Sequence, residues 1–165
     1  MKLYMKQKVF SIKDRFYIKD EQGNDRYYVE GEFFTIGKKL HLYDMNGREL
    51  AFIQEKVLSF LPRFYVYMNG KEAAEIVKAF TFFKPKYSIN GLGWNVEGDF
   101  WSHDYRVANN GRDVASVHKA WFSWGDSYEI DINNSEEEVL TLAVVLAIDA
   151  VLAAEAAAAA SSSSS

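Results

Sequence analysis

The chain of 165 residues contains no cysteine. A disulfide framework, a thiolate nucleophile and a cysteine-ligated metal are therefore all excluded. The first ten residues, MKLYMKQKVF, hold no apolar core long enough for a signal peptide, which points to a cytoplasmic protein. Net positive charge is also lacking: the formal charge is −4, so bulk attraction to nucleic acid or to an anionic membrane is not expected, and basic residues form no continuous stripe. Catalytic signatures are missing as well. The serines show no GxSxG elbow, and His41, His103 and His118 stand in no HxH or HxxxH spacing. Gly91-Leu92-Gly93 opens no helix and so makes no phosphate loop. No catalytic group, cofactor or metal is expected.

What the chain has in abundance is aromatic residues, 16% of the total, with 12 Phe, 10 Tyr and 4 Trp. Rings packing across strands favour sheets. Alternation at Leu3 and Met5, at Phe16 and Ile18, across Tyr27–Ile36 with a break at Gly31, and over Leu40–Tyr43 reads as strands. The early basic residues Lys2, Lys6, Lys8, Lys13, Arg15 and Lys19 fit a lysine-guarded edge.

One long helix stands out, SEEEVLTLAVVLAIDAVLAA at 135–154. Ser135 with Glu138 fits a capping box, and Glu136 and Glu137 suit the positive end of the helix dipole. From Val139 to Ala154 only Thr141 and Asp149 are strongly polar, so the helix is apolar all round and must be buried all round. The run of 16 residues is short for a bilayer and carries an acid, which favours a core helix over a tail anchor. Asp149 is expected to be paired or to reach water at one mouth of the surrounding structure. The final AAAAASSSSS, 156–165, reads as an artificial or unassigned tail, leaving a single domain over 1–155.

Three segments of 22 residues align without gaps: 45–66, 68–89 and 109–130. Each opens on Asn-Gly, the strongest short hairpin signal and one that suits a type I′ turn. Ala51/Ile53, Ala74/Ile76 and Ala115/Val117 occupy matching positions on one strand face, small then branched, and are expected to look inward onto the helix. A further echo pairs Val29-Glu30-Gly31-Glu32-Phe33 with Val96-Glu97-Gly98-Asp99-Phe100. Such repetition reflects architecture. A closed barrel around the helix buries every helix face and removes sheet edges, which a one-layer sheet cannot do.

Tyr28-Val29-Glu30-Gly31, the repeated Asn-Gly-Arg/Lys-Glu/Asp hairpins, Val117-His118-Lys119-Ala120-Trp121 and the terminal helix with Ala147-Ile148-Asp149 together resemble the LURP-one-related family. The resemblance covers roughly residues 3–153. It implies the tubby C-terminal-like fold, also proposed for phospholipid scramblases: a mainly β, closed antiparallel barrel of about twelve strands around a central apolar C-terminal helix. Tubby proteins bind phosphoinositide headgroups through exterior basic residues, and none of those positions is carried over to this chain. The lipidated cysteines and calcium loop of scramblases have no counterpart here.

If the Asn-Gly turns lie at one end of the barrel, the turns near Pro62, Pro85 and Asp126 lie at the other. Aromatic and basic residues concentrate there, and Arg63, Phe82, Phe83, Lys84, Lys86 and Trp124 are the candidate lipid-binding residues. Rings in the headgroup zone beside cations that meet phosphate suit a membrane interface. The expected function is a non-enzymatic barrel binding anionic phospholipid headgroups or a membrane surface, cytoplasmic and peripheral. The alternative is a protein-interaction or regulatory module whose protein partner meets the barrel exterior.

Overall fold

A computed structural model of the protein describes residues 1–6, 15–32, 36–79, 86–122 and 125–163. Twelve strands precede one helix. The first half holds β1 (Lys2–Lys6), β2 (Phe16–Lys19), β3 (Asp25–Glu32), β4 (Lys39–Asp44), β5 (Glu49–Glu55) and β6 (Arg63–Met68). The second holds β7 (Lys71–Ala79), β8 (Lys86–Asn90), β9 (Trp94–Asp99), β10 (Asp104–Asn109), β11 (Arg112–Phe122) and β12 (Gly125–Ile132). Each strand pairs antiparallel with the next, and β12 returns to β1, with Leu3 opposite Ile130. The sheet is closed, so the basic β1 is not an edge. Asp126 lies in β12, paired with Trp121, instead of making a turn.

Strand alternation sends Ala51, Ile53, Ala74, Ile76, Ala115 and Val117 inward, all buried as the repeat requires. The turns differ more than the repeat suggests. Asn69-Gly70 and Asn110-Gly111 have positive φ at both residues, the type I′ signature. At Asn46-Gly47 only the glycine does, with φ 82°. There the Asp44 carboxylate accepts the Asn46 and Arg48 N–H at 2.9 and 3.0 Å, and a register shift follows Leu42. Asp20 builds the same loop ahead of β3, accepting from Gln22 and Asn24 with Gly23 at φ 82°.

A 3-10 turn (Ser135–Glu137) leads into α1 (Glu138–Ser162), which runs on into the Ala/Ser tail. The cap is Asn134, not Ser135: its side chain accepts the Glu136 N–H at 3.1 Å and donates to Glu137 at 3.2 Å. Glu138 is drawn to the barrel. Arg26 donates to both its oxygens at 2.7 and 2.9 Å, and the Tyr27 hydroxyl donates at 2.8 Å. A buried acid with a bidentate guanidinium outbids a local cap.

Every residue from Thr141 to Leu152 is buried. The helix lies nearest β5, β6 and β7. Ala51 and Ala74 supply small inner surface on that side, and Ala143, Ala147 and Ala150 recur on one helical stripe. Larger rings, Tyr87, Phe100 and Tyr105, sit on β8, β10 and their neighbouring connection and fill the wider gap.

Candidate functional site

Because the strands alternate in direction, the barrel has two distinct ends. The Asn-Gly turns and the start of α1 share one; residues 36–38 and the connections 56–62 and 100–103 share the other, where α1 emerges. This second rim carries the large exposed apolar side chains Leu58 (100% exposed), Phe60 (93%), Ile36 (82%) and Trp101 (55%), with Val57 beside them. Ile36 and Leu58/Phe60 come from neighbouring connections, and Trp101 lies on the same rim farther round the barrel, so their shared end is a product of the barrel.

Local geometry holds these tips outward. Lys56 N–H donates to Arg63 O at 2.8 Å, closing the base of the 56–62 connection. Lys38 and Glu55 tie it to its neighbour, Glu55 N–H to Lys38 O and Lys38 N–H to the Glu55 carboxylate, both at 2.9 Å. Gly37 is needed at that junction: its φ is 81°, and a Cβ there would lie 3.0 Å from Val57 Cγ2. Leu58 itself is held at φ 62°, a conformation that costs a side-chain-bearing residue free energy. A cavity of about 390 Å³ runs between this connection and the emerging helix, where Ala154 and Ala158 form one wall. At Trp101 the turn is fixed by Asp99, which accepts from Ser102 N–H at 3.2 Å and its hydroxyl at 2.7 Å.

Cations flank the rim. Lys56 and Lys86 are exposed. Arg63 is on β6 and Lys86 on β8, with β7 between them, so both reach this end. Arg63 is engaged by Glu75 at 3.1 Å, and Lys78 by Glu155 at 2.8 Å. Glu155 also accepts from the Tyr87 hydroxyl at 2.6 Å; burial, then this acid, raises the Tyr87 pKa. Phe82, Phe83, Lys84 and Trp124 lie outside the described residues. Ile36, Leu58 and Trp101 were not singled out by sequence reasoning. The available signal was a lone large apolar residue inside a connection.

Beneath the rim, Asp149 is paired: His103 Nε2 lies 3.0 Å from its Oδ1, and the His103 ring stacks on Tyr128 at 4.4 Å. The other histidines also face acids, His41 between Glu32 and Glu49 and His118 against Asp104, each at 2.7 Å. Among the described residues no three His, Asp or Glu side chains converge to hold a metal. The rim presents exposed apolar side chains bordered by ammonium groups.

The sequence profile of one family, LURP-one-related, matches residues 1–149. An uncharacterized protein of Bacillus subtilis (strain 168), YxjI, is 40% identical over 152 residues, spanning 92% of this chain and 94% of that protein. The X-ray structure of an Arabidopsis thaliana protein, AT5G01750, has the same fold at a TM-score of 0.58, with 18% identity and 88% of each chain covered.

Proposed function

Since this chain belongs to the LURP-one-related family, a family of barrels to which these comparisons attach no activity, we propose that it is a non-enzymatic, cytoplasmic module that docks peripherally on membranes containing anionic phospholipid. The supporting observation is the gathering of Ile36, Leu58, Phe60 and Trp101, all more than half exposed, on one rim. Isolated exposed apolar residues are ordinary, but four around one rim, with Ile36, Leu58 and Phe60 on neighbouring connections, suit a partner surface. A bilayer interface suits it: the rings and aliphatic tips enter the headgroup zone, while Lys56 and Lys86 remain at phosphate level. With a net charge of −4, attraction is local to the rim, so apolar insertion carries the larger share.

Co-sedimentation with vesicles of phosphatidylcholine alone, and with added phosphatidylserine, tests this. The wild type is expected to pellet with the anionic vesicles, Leu58→Asp/Phe60→Asp to remain in the supernatant, and Lys86→Glu to lose the preference for anionic lipid. A wild type that pellets with neither vesicle would refute the membrane reading. The second reading, a protein-interaction module, is favoured by aromatic rings on the barrel exterior.

A further inference from the structure

On the outer face of the sheet, away from the rim, side-chain rings form a continuous band from β3 to β6. Tyr28 stacks on Tyr43 with centroids 4.9 Å apart, Tyr43 is followed by His41 at 6.1 Å, His41 by Phe52 at 4.8 Å, and Phe52 by Tyr67 at 5.9 Å. None of these rings belongs to the packed inner cluster, although Tyr28 is itself buried. Strand alternation places them outside, one register position from Val29, Leu42, Ile53 and Val66, which are fully buried.

The two ends of this band are built alike but filled differently. At the first end the Arg15 guanidinium lies 4.1 Å over the Tyr28 ring and donates through Nε and Nη2 to Glu30 at 2.8 and 2.5 Å. A ring face with a carboxylate beside it there holds a planar cation. At the far end the same parts recur. Phe52 and Tyr67 supply the rings, and Glu72 stands opposite Tyr67 in the β6–β7 register. Among the described residues Glu72 is exposed and has no ion-pair partner, and no cation covers Tyr67. A groove of about 370 Å³ opens over Phe52 and Tyr67, lined also by Glu49, Gln54 and the Asn69-Gly70 turn. Glu49 is engaged by His41 at 2.7 Å, and Glu72 stands just outside the groove, across Tyr67 on β7. The field there is negative: after burial, Glu72 is the largest influence raising the Tyr67 hydroxyl pKa.

We infer that this groove is a docking site for an arginine side chain on a basic segment of a protein partner. The guanidinium lies over Phe52 and Tyr67 and pairs with Glu72, repeating in trans what Arg15 does in cis over Tyr28. The arrangement favours arginine over lysine, because a flat, weakly hydrated cation stacks on a ring while pairing with a carboxylate. This site is independent of the membrane rim and uses different residues.

The test is a titration of the ¹⁵N-labelled full chain with a capped Gly-Arg-Gly-Arg-Gly peptide and with its lysine and glutamate counterparts, read by amide chemical shifts. The arginine peptide is expected to bind saturably with shifts centred on Phe52, Tyr67 and Glu72, the lysine peptide more weakly and the glutamate peptide not at all. Tyr67→Leu, which keeps apolar area but removes the ring face, and Glu72→Gln should each weaken binding by about three- to tenfold. Glu136→Gln/Glu137→Gln removes charge at the start of the helix, from residues that do not line the groove, and should leave binding unchanged. Absence of saturable binding would overturn the proposal. So would equal weakening by the Glu136/Glu137 variant, which would reduce it to bulk charge. Loss of vesicle pelleting in Tyr67→Leu, with peptide binding intact, would assign the band to the membrane and also overturn it.

Discussion

At the scale of single residues, backbone conformation and buried polar partners set the strongest constraints. Gly98 shows the first. Its φ is 123°, and a Cβ would fall 2.7 Å from Asp104 O and 2.8 Å from Tyr105 Cα on the paired strand. Both obstacles are backbone, so neither can swing aside. Gly98→Ala should cost about 2–3 kcal/mol, read as a lower urea midpoint with an unchanged m-value. Gly31, its partner in the sequence echo, sits in β3 without a positive φ, so the echo preserved a residue whose structural need survives in one copy only. Tyr27 shows the second constraint. Burial first, then its hydrogen bond to Glu138, raises the hydroxyl from 10.0 to about 12. The folded value lies above the unfolded one. The stabilisation is therefore complete below about pH 10 and lost as the pH rises toward 12. Urea midpoints measured at pH 8, 10 and 11.5 should fall across the last interval, and fall less steeply in Tyr27→Phe. A variant with the same slope as wild type would show that this hydroxyl does not titrate with unfolding.

At the scale of elements, the helix determines the most. Its three inward or rim-facing acids each meet a barrel partner: Glu138 with Arg26 and Tyr27, Asp149 with His103, and Glu155 with Lys78 and Tyr87. These pairs fix its depth and rotation, which a helix apolar on every face cannot fix through hydrophobic contact alone. Ala147 sits between them with no exposed surface. Ala147→Glu would place a charge where no partner is in reach and should destabilise by about 4 kcal/mol or more. Circular dichroism should show no cooperative melt; a soluble, cooperatively melting variant would contradict the buried helix. The helix as a core element is legible in the amino-acid order alone, because no strongly polar residue other than Thr141 and Asp149 interrupts 139–154. Its cap is not. Ser135 and Glu138 have capping-box spacing, but only the fold brings Arg26 near enough to Glu138 to claim its carboxylate.

At the scale of the whole molecule, barrel and helix are mutually dependent. The closed sheet leaves no edge strand, and its inner face, from Leu3 to Ile132, is covered only where α1 fills it. A chain ending at Asn133 keeps all twelve strands but loses the buried residues Thr141–Leu152. It should be insoluble or collapsed, since the lining would face a water-filled lumen. A monomeric, folded barrel recovered from this truncation, seen by gel filtration and dispersed amide resonances, would contradict that dependence. The emerging end of the same helix also borders the apolar rim, so core filling and the proposed membrane face meet at one place.

Local pattern determined the strands, the helix, the inward faces of the repeat and, through the helix's all-round apolarity, the need for closure. These rest on periodicities of two and 3.6 residues, which the chain carries in its own order. The tertiary structure decided what depends on residues far apart in the chain. It brought Ile36, Leu58, Phe60 and Trp101 to one rim, placed Glu138 beside Arg26, and aligned rings from four strands into a band. Adjacency of that kind follows from strand register and barrel shear, set jointly by every pairing around the barrel; no single stretch of sequence records it.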